Sequence, residues 1–355
     1  MAVKNILVVR FRQMGDAVLA TPILNALRRY YPEAQIDFVL NERIAPLFEG
    51  HPGVSRLITF TDAERHALLT YIKKVWCIVR ATRYDVIIDM RSTVNTMLFA
   101  LFSRRSPYRI GIRKPYTWIA FNHRFEGCED DESMIDHNLR LLTPLTDSEG
   151  LPHPATLSKA ITLQITERER TDFRQYMAGQ GIDFARPVML AGVTAKLADK
   201  TWAEDRMTEV LRRFIDAHPE VQVIFNFAPG KEAENARRMY DVLGRHPGIF
   251  ITIEARSMRQ LAAMAANCTF YFGNEGGGRH IVQAMGRPSL VVCSPMASKT
   301  TWLPENDEVL TRGIAASDID PHAKEKTSDE QYALIGVDPV WEALQTFYSQ
   351  ITRQG

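Results

Sequence analysis

Tyr271–Pro295 reads YFGNEGGGRHIVQAMGRPSLVVCSP, and the pattern of this stretch decides the fold. The apolar run Thr269–Phe272 predicts a buried strand. Gly273-Asn274-Glu275-Gly276-Gly277-Gly278 predicts a tight turn, Arg279–Met285 a short helix stopped by Gly286 and Pro288, and Ser289–Cys293 a second buried strand. Strand, glycine turn, helix and strand make one βαβ unit. Such a unit sets free backbone N–H groups and the positive end of a helix at the carboxyl edge of a parallel sheet, where anions bind. Three consecutive glycines fit a ligand that approaches too closely for side chains. They also fit plain connection geometry, which any α/β protein needs. The turn is not a dinucleotide fingerprint, because Gly276-x-Gly278 is followed by Ile281 where a third glycine belongs. Nor is it a P-loop, since no Gly-Lys-Ser/Thr follows.

Composition sets the outer limits. The chain has 355 residues, 45% hydrophobic and 24% charged, which is ordinary for a soluble globular protein of about two domains. A net charge of +1 gives no overall field that selects nucleic acid, although local patches remain open. Cys77, Cys128, Cys268 and Cys293 form no CxxC pair, so a reducing compartment is expected rather than a disulfide framework. The N-terminal apolar run Ile6–Val9 is too short for a signal peptide. No apolar stretch approaches the thickness of a bilayer. The expected location is cytoplasmic, with at most peripheral contact with a membrane.

Asn5–Phe11 (NILVVRF) predicts a central parallel strand buried on both faces. A helical pattern follows from Ala17 to Tyr31 and ends at Pro32, with Asp16 at or next to its N-cap. Strands at Ile36–Leu40, Leu57–Phe60 and Val86–Asp89, with helices between such as Glu64–Arg80, give the βαβα rhythm of a doubly wound sheet. Asp16 has two readings. As a cap it bonds a free N–H; at the carboxyl end of the first strand it stands where open α/β sheets place their ligands. Between Phe102 and Arg124 lie Arg104, Arg105, Arg109, Arg113, Lys114 and Arg124, interleaved with aromatics. This tract could bind phosphates or carboxylates, or could be a solvated loop balanced by the acidic Glu126–Glu132. Asp136-His137-Asn138 opens a helix running to Leu145.

Thr146–Ser158 (TDSEGLPHPATLS) is the best linker, being polar and rich in Pro and Gly. The expected domains are 1–155 and 156–337. Beyond the linker the rhythm restarts: helices at Glu167–Ala178, Glu204–His218, Glu232–Leu243 and Met258–Asn267, and strands at Val188–Val193, Gln222–Phe227 and Phe250–Ile253. Two α/β sheets of similar size imply a cleft between them. Three more segments leave the second sheet at its carboxyl edge: Gly192–Trp202, which carries Thr194, Lys196 and Lys200; Ala228–Glu232; and Ser294–Trp302. Lysines and exposed N–H groups converging on one edge suit a diphosphate, in place of a metal. Asp318 and Asp320 read as turn chemistry rather than a metal pair. Leu310–Gly336 reads as a loop, and Asp338–Ile351 as an amphipathic closing helix with Val340, Trp341, Leu344, Phe347 and Ile351 at helical spacing.

These residues together resemble a family. Arg10-x-x-x-x-Gly15-Asp16-x-x-x-x-x-Pro22, Lys200-x-Trp202, Gly230-x-Glu232 and Glu275-Gly276-Gly277-x-x-His280-x-x-x-Ala284-x-Gly286-x-Pro288 are similar to the motifs of the ADP-heptose:lipopolysaccharide heptosyltransferases, family 9 of the glycosyltransferases. The resemblance spans nearly the whole chain in the right order. It implies a GT-B fold of two facing Rossmann-like lobes, acceptor on the N-terminal one and nucleotide-sugar on the C-terminal one, with the closing helix 338–355 crossing back onto the first lobe. It implies inverting, metal-independent transfer of heptose to the lipopolysaccharide core at the inner face of the cytoplasmic membrane. No cofactor is expected, because the ADP-sugar is a substrate.

By the same resemblance, Asp16 corresponds to the general base and Lys200 to the residue that neutralises the leaving diphosphate. Glu232 matches a nucleotide-sugar contact. Gly276, Gly277 and His280 match the diphosphate and sugar-binding turn, with Glu275 and Gly278 beside them; Thr194 matches loosely and Lys196 is a further donor-side candidate. Gly15, Arg109, Arg113 and Lys114 are the candidates for the acceptor. One departure stands out: the family usually has Asp-Thr/Ser-Gly where this chain has Glu275-Gly276-Gly277. A hydroxyl is lost and the carboxylate is one methylene longer, so a donor contact must differ. Rival readings are a GT-B transferase or epimerase using UDP- or GDP-sugars, a nicotinamide oxidoreductase, and a non-catalytic paralogue that binds nucleotide.

Overall fold

The computed structural model describes residues 3–11, 13–129, 131–195, 200–303 and 308–354. The chain divides into two compact units, Met1–Gln164 and Ile165–Gly355. The break falls after residue 164, not after 155 as expected. Residues up to 164 stay with the first unit because Thr162 is tied into it: its backbone N–H donates to Thr21 Oγ1 (3.0 Å) and its hydroxyl accepts from Asn25 Nδ2 (2.9 Å).

The first unit holds six parallel strands: β1 Asn5–Val9, β2 Gln35–Asn41, β3 Arg56–Phe60, β4 Val86–Asp89, β5 Tyr108–Ile112 and β6 His123–Phe125, in the order β3-β2-β1-β4-β5-β6. Ile6 to Val9 of the central β1 are wholly buried, as continuous apolar runs must be when helices cover both faces. Val9 pairs with Val39 on one side and Asp89 on the other. The second unit holds β7 Val188–Gly192, β8 Gln222–Phe225, β9 Ile249–Phe250, β10 Phe270–Asn274, β11 Ser289–Val292 and β12 Thr311–Ile314, in the order β12-β11-β10-β7-β8-β9. Counted from its own first strand, each sheet has the doubly wound order 3-2-1-4-5-6. The winding therefore reverses between β1 and β4, and again between β7 and β10. Open sheets bind ligands at the carboxyl ends beside such reversals.

Several elements differ from expectation, each for a local reason. The helix expected over Ala17–Tyr31 is two helices, Met14–Val18 and Thr21–Tyr30; Pro22 sits in the first turn of the second, where a missing N–H costs nothing. β5 and β6 lie inside the basic tract, where no strand was expected, because Arg109 and Arg124 interrupt the apolar pattern of short strands near the sheet edge. The tract Leu310–Gly336 is also structured, holding β12 and helices Ala316–Ile319 and Ser328–Leu334. Its capping box was written in the sequence: Glu330 Oε2 accepts from Thr327 N (2.8 Å) and Thr327 Oγ1 from Glu330 N (3.4 Å). Asp318 pairs with Lys299 (3.0 Å) and accepts from Ala315 N, while Asp320 accepts from His322 N.

The closing helix is corrected too. Val337–Gln354 buries Val340, Leu344, Phe347 and Tyr348 in the core of the second unit, not on the first. Tyr348 packs edge-on to Phe214 (5.3 Å between centroids), and Phe347 lies 6.2 Å from Phe270 of β10. Arg213–Asp338 (2.8 Å) and Tyr348 Oη donating to Glu220 (3.0 Å) fix its register. The aromatic stripe finds its complement in that same sheet.

Two buried histidines give the first unit a pH-dependent stability. Burial holds His51 down to about 4. Burial, then the charges of Arg140 and Arg10, do the same to His137. A lowered histidine stays neutral in the folded chain while the unfolded chain takes up protons below about 6.5. Stability is therefore full above that value and is lost as the pH falls towards 4. Urea unfolding of the full chain should show a loss on the order of 1–2 kcal/mol per histidine between pH 7 and pH 5. The slope should flatten in His51→Gln; an unchanged slope would remove this assignment.

Candidate active site

In the first unit the chain turns out of β1 at Arg10, whose side chain is buried. Its Nη1 donates to the carbonyl of Met90, just beyond β4 (2.9 Å), and its Nη2 to Asp16 Oδ1 (3.1 Å). One guanidinium thus spans the β1/β4 reversal and holds the candidate base. Asp16 is not the N-cap: that place is Gln13's, and Asp16 lies inside the helix Met14–Val18. Gly15 enters the helix and starts it earlier than the apolar pattern suggested. Asp16 still falls in the first turn, where the helix dipole favours a carboxylate.

Glu132, His137 and Arg140 lie close by. Arg140 Nη2 donates to Glu132 Oε2 (3.0 Å) and to His137 Nδ1 (3.2 Å). Among the described residues, Cys128, Glu132 and His137 are the set whose ligand atoms lie close enough for a metal. The Arg140 guanidinium already supplies the positive charge between two of the three.

The basic tract does not converge on one point. Arg109 hydrogen-bonds the carbonyls of Arg104, Ser106 and Ala120, which shapes the loops around β5. Arg113 pairs with Glu126 (3.0 Å), and Lys114 Nζ donates to the carbonyl of Arg91 (2.9 Å), just past β4. Of the three, Lys114 bonds the segment that leaves β4.

In the second unit β7 and β10 approach closely. A Cβ on Gly273 (φ +151°) would lie 2.4 Å from the carbonyl oxygen of Gly192, so glycine is required there. Asn274 then joins the strand ends: its Nδ2 donates to Gly192 O (3.1 Å) and its Oδ1 accepts from Trp202 N (2.8 Å). This positions the loop that carries Lys200, whose Nζ lies 3.7 Å from Glu275 Oε1. The other oxygen of Glu275 accepts from the backbone N–H of Ser294, beyond β11 (3.2 Å). The longer carboxylate therefore links β10 to β11 while facing the lysine. Thr194 and Glu232 are also brought together, hydroxyl to Oε2 at 2.9 Å, and Glu232 accepts from Ala228 N (3.3 Å). Lys196 lies outside the described residues.

The glycine run splits between cap and helix. Gly276 is the N-cap, with extended backbone, and Gly277 and Gly278 open the helix Gly277–Ala284. A Cβ on Gly276 would meet nothing within 4 Å, so neither sterics nor φ demands glycine there. The helix start leaves N–H groups without intrahelical partners. His280 and Arg279 are both buried. Arg279 Nη2 donates to His280 Nε2 (3.1 Å) and to Trp302 O (2.7 Å), and its Nη1 to Gln283 Oε1 (2.7 Å). Burial and the charges of Arg279 and Lys200 hold His280 well below the usual histidine range.

Sequence reading quoted Arg10 without a role and passed over Asn274, Arg279 and Ser294. Arg279 had a signal, a charged residue on the apolar face of a short helix. Asn274 had none beyond its place at a strand end. Replacing Asn274 by Ala orphans Trp202 N and Gly192 O inside the protein, so urea unfolding should show a loss of about 2–4 kcal/mol. A loss below about 1 kcal/mol would mean that the bridge is dispensable.

Lipopolysaccharide heptosyltransferase 3 of Escherichia coli is 22% identical over 312 residues, covering 83% of this chain and 85% of its own length. Lipopolysaccharide heptosyltransferase 1 of Campylobacter coli is 18% identical over 293 residues, covering 81% and 83%. The crystal structure of a family 9 glycosyl transferase from Veillonella parvula superposes with a TM-score of 0.79 at 18% identity, over 99% of both chains. The E. coli ADP-heptose lipopolysaccharide heptosyltransferase II structure gives 0.73 at 20% identity, over 98% of this chain and 99% of its own. These structures establish the GT-B, α/β fold. The model of glycosyltransferase family 9 (heptosyltransferase) matches residues 72–329, and with that match the chain belongs to this family of glycosyltransferases.

Proposed function

We propose that this glycosyltransferase moves a heptose from ADP-heptose to the lipopolysaccharide inner core with inversion and without a metal, from the cytoplasmic side of a membrane. One observation carries the reading. Asp16 follows the first strand of one doubly wound sheet at its reversal, and Lys200, Glu275 and the Gly276 cap gather at the corresponding reversal of the other. Inverting transfer needs a base for the acceptor hydroxyl and charge stabilisation for the departing diphosphate. Asp16 takes the proton, with its carboxylate oriented by Arg10. Lys200 and the backbone N–H groups after Gly276 receive the negative charge that grows on the leaving oxygen. Thr194, Glu232 and His280 line the donor side, and no cofactor is needed.

In this role Lys200 faces Glu275 until the diphosphate competes for it. A contact that strengthens in the transition state contributes a few kcal/mol. Asp16→Asn and Lys200→Ala should therefore each depress turnover about a hundredfold or more, read as ADP released from ADP-heptose with truncated core lipopolysaccharide. Circular dichroism should be unchanged. Rates like the wild type for both variants sink the mechanism.

Glu275-Gly276 favours weighing a second reading, transfer from another nucleotide-sugar on the same fold. A ligand that binds only the folded chain raises its melting point by mass action. Thermal shifts with ADP, UDP and GDP should single out ADP. A larger shift with UDP or GDP would replace the donor, and a shift with ADP but no turnover would favour a non-catalytic paralogue.

A further inference from the structure

Helix Leu68–Ala81 has two apolar faces. Tyr71, Val75 and Val79 are buried against the first sheet. At about 100° per residue, Leu69, Lys73, Trp76 and Arg80 lie roughly 140–200° around the helix from Tyr71 and share an outward face. There Leu69 is 83% exposed, Trp76 44%, and Leu68 at the helix start 59%. A helix that covers a sheet ordinarily turns polar residues outward; this one turns out leucine and tryptophan.

The surface continues onto its neighbours. Trp76 packs edge-on to Phe102 (5.3 Å), with the Arg80 guanidinium over its ring (4.5 Å). Beyond Phe102, Arg104 donates to the carbonyl of Ile119 (3.4 Å), beside Trp118, which is 66% exposed. Lys73, Arg80, Arg83, Arg104 and Arg105 are all exposed around these apolar groups. Neither 68–84 nor 91–125 contains a single Asp or Glu. The carboxylates that flank these runs are engaged: Asp62 with Arg43, Glu64 with Lys74, Glu126 with Arg113, and Asp85 with the backbone N–H groups of Lys4 and Asn5. A molecule of net charge +1 thus carries one face that is both cationic and apolar.

We propose that this face docks on an anionic lipid bilayer, helix Leu68–Ala81 lying in the plane of the headgroups. Leucine and tryptophan enter the headgroup–acyl boundary, and the lysine and arginines meet lipid phosphates. Charge complementarity selects that occupant. An acidic nucleic acid would answer the arginines but leave Leu68 and Leu69 in water; a second copy would bring like charges together. No helix among the described residues is long and apolar enough to cross a membrane, so the contact is peripheral. The proposal rests on the heptosyltransferase reading only for its purpose, reach to a lipid-anchored acceptor. Vesicle binding is measured without turnover, so either can fail alone.

The test is sedimentation of the full chain with vesicles of phosphatidylglycerol and phosphatidylcholine, against phosphatidylcholine alone. Binding is expected to the anionic vesicles, weakening as salt is raised. Lys73→Glu/Arg80→Glu should weaken it at least tenfold, since each basic residue near such a surface is worth about fivefold. Leu69→Glu should weaken it comparably while unfolding and turnover on a soluble, truncated acceptor stay as in the wild type. No binding to anionic vesicles, or binding that Leu69→Glu leaves intact, overturns the proposal. So does a concentration-dependent dimer in analytical ultracentrifugation that Leu69→Glu abolishes, without vesicle binding.

Discussion

Each sheet is clamped at its reversal by one buried polar side chain, and the candidate site residues hang on those two clamps. Where parallel strands diverge, their carboxyl ends lose neighbours and expose backbone groups that burial makes expensive to leave unpaired. Asn274 answers this in the second unit, donating to Gly192 O and accepting from Trp202 N. Arg10 answers it in the first, donating to Met90 O and to Asp16. Asparagine serves where one carbonyl and one N–H must be matched. Arginine serves where a carbonyl and a carboxylate must be, since it only donates. In both cases the group that completes the backbone also aims a candidate catalytic element, Asp16 in one unit and the Lys200 loop in the other.

The clamps themselves were not legible, but much of the fold that they hold was. Continuous apolar runs at Asn5–Phe11 and Val188–Val193 mark central parallel strands, and the glycine turn after β10 marks a reversal edge, because those patterns follow from burial on two faces and from free N–H groups. Three strands at or next to a sheet edge escaped for the converse reason. β5, β6 and β12 are half-covered, so Arg109, Arg124 and Arg312 can sit in them and erase the pattern. The closing helix was found, but its docking was not. An apolar stripe says that a helix is buried, not against which partner; only the rings of Phe214 and Phe270 decide that. Candidate site residues could be named from the sequence, but the bonds among them could not. The pair Thr194–Glu232, joined across thirty-eight positions, has no signature in spacing.

Charge tells the same story at larger scale. A sum of +1 suggests neutrality, yet the acids and bases are not mixed evenly. Residues 91–125 hold no carboxylate, and of the acids that follow, Glu126 is paired with Arg113 and Glu132 with Arg140. Net charge bounds the long-range field; it does not bound a face a few residues wide, which acts within a Debye length of about 10 Å.

The glycine turn shows how a departure from family pattern can be absorbed. Glu275 is longer than the usual aspartate and reaches Ser294 N, so the turn gains a bond to β11. Arg279, wholly buried beneath it, is a cation in a place that water does not reach. Desolvation draws it down to about 10, and the carboxylate of Glu275 is the foremost influence opposing that fall. A guanidinium has no acceptor, so the atom it meets on His280 must be a lone pair. The ring proton is therefore assigned to Nδ1, a buried atom with no hydrogen-bond partner among the described residues. An acid lengthened by one methylene, a buried arginine and a histidine fixed in one neutral tautomer form a single linked set. Replacing Glu275 by a neutral residue would remove charge support from the Arg279 that fixes the ring, so carboxylate, guanidinium and imidazole respond together to a change at this one position.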